Sequence, residues 1–162
     1  LYAETKLMGE RKIQEIFSNY IILRESLLIG FGLNHSRNNF HLMFDKLSKS
    51  ETVNLFTDQF RTPIALHEAA RMIARIIEIN IETEIINFGG EERISRYALG
   101  ELLCEEAGFD KNLINMKTMD ESNVTYKVAD VSLSTEKLQS YGINSGGCRN
   151  SIKEILLGMK RK

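Results

Sequence analysis

Tyr2-Ala-Glu-Thr-Lys6-Leu-Met-Gly-Glu10 opens the chain, and its reading decides how the remainder is understood. A tyrosine and a lysine four residues apart lie one turn apart on the same face of a helix, where the ammonium favours the phenolate. A phenol in that setting is a candidate proton donor. The spacing alone is short enough to arise by accident, so the flanking sequence has to carry the assignment.

The flanks read as alternating helices and strands. Leu7, Ile13, Ile16 and Phe17 recur at helical spacing and predict a helix over 2–19 with an apolar stripe. Residues 20–25 follow as a short β-branched run between that helix and the Gly30-Phe-Gly32 turn, which predicts a buried parallel strand. A helix is expected over Phe40–Ser48 and a short strand over Val53–Phe56. Pro63 is the only proline and suits an edge strand or turn ahead of a helix from His67 to about Ile79, whose packed face is Ala69, Ala70, Ile73, Ile76 and Ile77. Residues 84–88 predict a second buried strand. Ser95 is placed to cap a helix that stops near Gly108. An irregular segment is expected next, then helices over Thr135–Ser140 and Cys148–Met159, with Lys160-Arg161-Lys162 setting positive charge at a helix C-terminus. Glycine pairs such as Gly89-Gly90 and Gly146-Gly147 read as turns that use positive φ. The alternation implies an α/β layered fold.

The blocks that recur in order are Tyr2 to Glu10, the Tyr20–Ser26 strand, Asn38-Asn39-Phe40, Asp58-Gln59-Phe-Arg61-Thr62-Pro63, Glu84 to Gly90, and Ala129-Asp130-Val-Ser132-Leu133 with Lys137-Leu138. In this arrangement the chain resembles the carboxy-terminal half of an extended short-chain dehydrogenase/reductase of the dTDP-4-dehydrorhamnose reductase-like group. The resemblance implies the C-terminal part of a Rossmann-like doubly wound parallel sheet, residues 1–35 and 64–90, with a smaller α/β substrate-binding lobe, residues 36–63 and 91–162. It implies NAD or NADP as cofactor, a sugar nucleotide as substrate and a homodimer. The glycine-rich turn that cradles a dinucleotide pyrophosphate has no counterpart here, so the chain reads as a piece of a longer protein.

By the same resemblance Tyr2 is the general acid that protonates a carbonyl oxygen as hydride arrives, and Lys6 holds the nicotinamide ribose. Ser26 and Leu27 fall beside the cofactor; relatives carry Thr-Ser-Trp where this chain has Glu25-Ser26-Leu27, and Lys127-Val128 where relatives carry Arg-Pro. Substrate contacts fall on Asn39, Gln59, Arg61 and Thr62. Read from the residues alone, Asn39 is equally a helix N-cap, Arg61 a surface arginine beside Asp58, and Arg24 an ion-pair partner. A reductase is the first reading; a sugar-nucleotide epimerase or dehydratase, or a non-catalytic cofactor-binding regulatory subunit, are the others.

Composition bounds the remaining classes. With 162 residues and 43% hydrophobic content the chain is long enough for a real core. A formal charge of −1, with basic and acidic residues interleaved, offers no footprint for nucleic acid. No apolar run is long enough to span a bilayer, and a soluble cytoplasmic protein is expected. Cys104 and Cys148 lack metal-ligand or redox spacing and read as reduced structural thiols. His35, His41 and His67 are scattered, and no metal site is expected.

Overall fold

Helix α1 (Tyr2–Ile16) and strand β1 (Ile21–Glu25) run antiparallel to each other as a hairpin, because their side chains bond at reciprocal positions. Arg24 donates to both carboxylate oxygens of Glu10, at 2.9 and 2.7 Å, and Gln14 donates to the Tyr20 hydroxyl at 3.1 Å. Arg24 is thus the ion-pair residue that its position in the strand suggested, and its bidentate fork holds the Glu10 carboxyl below the usual range. The computed structural model describes residues 2–32, 36–122 and 126–159. His35 and the basic stretch at 160–162 lie outside the described residues.

The remaining elements follow in chain order: β2 (Leu28–Ile29), α2 (Asn39–Ser48), β3 (Val53–Phe56), β4 (Phe60–Arg61), β5 (Ile64–Ala65), α3 (Leu66–Glu78), β6 (Glu84–Phe88), β7 (Ile94–Ser95), α4 (Arg96–Ala107), β8 (Ile114–Lys117), α5 (Glu136–Ser140) and α6 (Cys148–Met159). β1 pairs in parallel with β6, from Ile21 opposite Glu84 to Glu25 opposite Phe88. β2 pairs in parallel with β5, and β3 with β8, whereas β4 and β7 are antiparallel. Parallel partners need long crossovers, which is why helices separate them in sequence.

Two apolar clusters hold these layers together. One gathers Phe40, Met43 and Leu47 of α2 with Val53, Leu99, Leu103, Ile114, Ile152 and Ile155. The other places Ala69, Met72 and Ile76 of α3 against Ile86 and Phe88 of β6, with Leu138 and Ile143 closing it. Of the predicted α3 face only Ala69 and Ile76 are buried; Ala70, Ile73 and Ile77 are exposed, and Met72 and Glu68 take their places on the packed side. Ser95 caps α4 by accepting from Ala98 N at 3.0 Å, and Gly108 ends the helix in the left-handed region at φ 73°.

Several expectations are corrected. Helix α1 stops at Ile16 and buries no residue, so its apolar positions face outward instead of forming a packed stripe. In β1 only Ile22 is buried. The segment after Gly108 is not irregular: Asp110 caps a short 3-10 turn at Lys111–Leu113, and β8 follows. β8 buries Ile114 alone, a pattern too weak to read as a strand. Thr135 precedes α5 and is not part of it. Gly89-Gly90 and Gly146-Gly147 do not use positive φ. They are glycines because a Cβ would meet Thr62 and Pro63 in the first pair, and the Glu68 and Glu92 carboxylates in the second.

Those two carboxylates sit at the start of α6, where Glu68 accepts from Gly146 N at 2.6 Å and from the Ser151 hydroxyl, and Glu92 accepts from Cys148 N at 3.1 Å. A cysteine at a helix N-terminus is usually acidified. Here burial, then the Glu92 charge, pushes the Cys148 thiol up to about 12, and burial also raises Cys104. Both thiols are free and buried.

Candidate functional site

The α1–β1 hairpin determines where Tyr2 and Lys6 lie. Glu10 is anchored at Arg24, near the carboxyl end of β1, and an α-helix rises ~1.5 Å per residue, so Lys6 and Tyr2 extend ~6 and ~12 Å further along the helix axis. They stand beyond the carboxyl edge of the β1–β6 pair, the side on which open α/β sheets bind ligands. Tyr2 is 76% exposed, and the Lys6 ammonium lies over its ring at 5.5 Å from the centroid. Among the described residues neither the phenol nor the ammonium has a hydrogen-bond partner, and Glu10, the carboxylate one turn beyond Lys6, is taken by Arg24. The donor set fits the diol of a nicotinamide ribose: one hydroxyl and one cation on one helix face, both free to meet a ligand.

Ser26 and Thr62 meet, but they bond to each other. Ser26 Oγ accepts from Thr62 N at 3.3 Å and from Thr62 Oγ1 at 3.0 Å, while Thr62 Oγ1 accepts from Leu133 N at 3.2 Å. Ser26 N donates to Phe88 O, and Gly90 N donates to Thr62 O at 3.1 Å. Thr62 is 2% exposed, so the structure places it inside a knot joining β1, β6 and the 130–134 segment, not on an open pocket wall. Leu27 packs against the first apolar cluster.

A separate cavity of about 350 Å³ opens between α2, β3 and the start of α4. Its floor is Phe40, Met43, Val53, Leu55 and Leu99, and its polar rim is Asn39, Lys46, Asn54, Gln59 and Arg96. Asn39 is not the helix cap. That role belongs to Asn38, whose side chain accepts from His41 N at 2.9 Å and donates to Gly30 O at 3.0 Å, which leaves Asn39 to face the cavity. Gln59 reaches the cavity because β4 pairs with β7 and Gln59 O accepts from Arg96 N at 3.0 Å. Sequence reasoning missed Lys46, Asn54 and Arg96, since the two-residue β4 and β7 strands that bring Arg96 to Gln59 leave no periodic trace.

Arg61 does not pair with Asp58. Asp58 accepts from Met119 N through both oxygens, at 3.1 and 3.0 Å, and so holds the following turn. Arg61 donates to the carbonyls of Phe60, Val128 and Ala129, and partial burial lowers its pKa. The neighbouring Asp130 accepts from the Ser132 hydroxyl and amide and from Arg93, whose guanidinium also stacks on Phe60 at 3.6 Å. Ser132 first, then Arg93, hold the Asp130 carboxyl down to about 2. A folded-state pKa below the unfolded value gives stability that is in place above pH ~4 and lost as pH falls through about 2. Asp130→Asn should therefore lower the urea midpoint at neutral pH, with the difference from wild type closing in that acid window. A difference independent of pH would sink this account. Among the described residues no group of His, Cys, Asp or Glu is disposed to hold a metal, and no helix is long and apolar enough to cross a membrane.

The RmlD substrate binding domain family matches residues 1–160. The chain belongs to that family. Among curated relatives it is 27% identical over 120 residues to the probable low-salt glycan biosynthesis reductase Agl14 of Haloferax volcanii, covering 73% of this chain and 40% of that protein. It is 24% identical over 148 residues to methionine adenosyltransferase 2 subunit beta of Xenopus laevis, covering 88% of this chain and 44% of that one. Among solved structures, dTDP-4-dehydrorhamnose reductase from Bacillus anthracis, in complex with NADP, superposes with a TM-score of 0.86 at 16% identity, covering 97% of this chain and 55% of the other. The RmlD-family chain thus has the α/β fold of that reductase and spans roughly half the length of the relatives it matches.

Proposed function

We propose that the protein carrying this chain reduces a 4-keto sugar nucleotide at the expense of NADH or NADPH. The observation that carries the reading is the position of Tyr2 and Lys6, paired on one helix face beyond the carboxyl edge of β1 and β6. When bound, the nicotinamide supplies the hydride. Tyr2 supplies the proton to the carbonyl oxygen as negative charge develops there, and Lys6, on the same helix face, binds ribose hydroxyls. Residues 1–35 and 64–90 belong to the nucleotide-binding sheet in this reading, and residues 36–63 and 91–162 form the substrate lobe. The cavity rimmed by Asn39 and Gln59 receives the nucleotide part of the substrate, with Arg61 following in β4.

A second reading, a regulatory subunit of the same fold, is favoured by the 24% identity to a protein named as a subunit of methionine adenosyltransferase 2. An epimerase or dehydratase would share Tyr2 and Lys6 but return the hydride within each turnover. Steady consumption of NAD(P)H with dTDP-4-dehydrorhamnose separates the readings: the reductase consumes cofactor continuously, and the others do not.

The same helix suggests a homodimer. Leu7, Met8, Ile13, Ile16 and Phe17 are all at least 40% exposed, more apolar surface than an isolated helix face normally leaves open. Light scattering on the full-length protein should give a dimer mass that Met8→Lys shifts toward the monomer. A monomer mass at tens of micromolar, unchanged by Met8→Lys, would remove this part of the proposal.

A further inference from the structure

We infer that Arg24 is a positioning residue for Lys6: by holding the Glu10 carboxylate in a two-pronged bond it keeps that carboxylate off the Lys6 ammonium, whose charge is then left for a bound ligand. The inference rests on the reading of Lys6 as a ligand-binding cation.

Helical spacing decides which groups can quench Lys6. Side chains three and four residues apart are neighbours on a helix, and within α1 those positions around Lys6 are Tyr2, Ala3, Gly9 and Glu10. Ala3 and Gly9 offer no polar side chain. Tyr2 presents its ring to the ammonium, at 5.5 Å from the centroid. Glu10 is therefore the carboxylate that would pair with Lys6 if nothing else claimed it, since opposite charges one turn apart attract.

Arg24 claims it. Its Nε donates to Glu10 Oε1 at 2.9 Å and its Nη2 to Oε2 at 2.7 Å, so both carboxylate oxygens are engaged. Every residue of α1 except Glu10 is exposed, and the Glu10 side chain is only 16% exposed, so the carboxylate is held in against the strand and away from the open helix face. A bidentate guanidinium pair is stronger than a single contact with an exposed ammonium, and the fork wins the competition for Glu10. A lysine at position 24 would hold the carboxylate as a point charge and leave one oxygen to face Lys6. Lys137, which lines the same hollow on β6 as Arg24, does not contend for Glu10: it is bonded to Glu84 and to Ile85 O at 3.2 Å. Arg24 sits opposite Asn87 near the carboxyl end of β1, the edge beyond which Lys6 stands, so the strand sets the place of the fork and the fork sets the place of the carboxylate.

Two measurements on the full-length protein test this: the rate of Lys6 acetylation by trace acetic anhydride, followed by peptide mass spectrometry, and NADPH affinity by calorimetry. Without ligand, Arg24→Met should slow Lys6 acetylation about twofold or more, because the released Glu10 carboxylate favours the unreactive ammonium. High salt should abolish the difference, since the new pair is exposed. NADPH should bind this variant more weakly by a similar factor, and Arg24→Lys should fall between it and wild type. Adding Glu10→Gln to Arg24→Met should return both readouts to wild type, and Glu10→Gln alone should leave both unchanged. That rescue also shows that the loss in Arg24→Met is not misfolding. A mere anchor for the helix gives the opposite pattern: Glu10→Gln and Arg24→Met would weaken NADPH equally, the double variant would be no better, and Lys6 acetylation would not respond. That result overturns the inference. If acetylation follows the expected pattern while Lys6→Met binds NADPH as tightly as wild type, Arg24 keeps its role at Lys6 and the cofactor reading of Lys6 is discarded.

Discussion

In the full-length protein, Tyr2→Phe should lower turnover of a 4-keto sugar nucleotide by about two orders of magnitude or more, the loss expected when a general acid is removed. The prediction follows from what Tyr2 does not do in this chain. Its side chain is 76% exposed, and its hydroxyl has no hydrogen-bond partner among the described residues, so nothing in the fold depends on the oxygen. The cation–π contact with Lys6 uses the ring, which phenylalanine keeps. Melting temperature and the binding of dTDP should therefore stay at wild-type values while the chemical step slows. Lys6→Met should weaken cofactor binding as well as turnover, because its ammonium is the only cation on that turn of α1 and bears on both. Near wild-type reduction by Tyr2→Phe would move the proton transfer to another group and leave the Tyr2/Lys6 pair as a surface feature of a helix.

How much of this was legible in the sequence depends on how local each signal is. β1, β3 and β6 are apolar runs of four or five residues, and Ser95 and Gly108 are single-residue caps, so each is written in a short window and each is found where the sequence puts it. Strands β2, β4, β5 and β7 have two residues each, below any period, and they exist only because distant segments meet. Arg96 entered the candidate site through such a meeting, which is why it was not foreseen. Asn38 and Asn39 are chemically identical neighbours, and only the direction in which the helix turns decides that one caps and the other faces the cavity. Thr62 fails differently. A threonine in a motif beside an arginine suggests ligand contact, yet its hydroxyl is already satisfied by Ser26 and Leu133, a fact that needs three segments of chain to state. The apolar positions of α1 were visible as a pattern, but a pattern says which residues share a face and not what covers it.

Glycine 90 carries the largest effect expected on stability. An added Cβ there would lie 2.1 Å from the carbonyl oxygen of Pro63 and 3.1 Å from its carbon, and both are backbone atoms that no rotamer change can move aside. The same glycine donates its N–H to Thr62 O at 3.1 Å, so the two chains cannot separate without breaking that bond and disturbing Thr62, on which Ser26 and Leu133 converge. Overpacking of a closed site costs ~1–3 kcal/mol and at times more; with an immobile neighbour on one side, Gly90→Ala should fall near ~3 kcal/mol. For a chain of this size that corresponds to a melting temperature lower by ~6–12 °C. Gly108→Ala provides the comparison, since Gly108 has φ 73° but open space around its Cβ position. It loses only the conformational preference of glycine, ~1 kcal/mol, and should melt well above Gly90→Ala. If Gly90→Ala melted within a degree or two of wild type, the 62–63 and 89–90 segments would not cross at the distance described, and the knot that positions Ser26 at the end of β1 would have to be rebuilt.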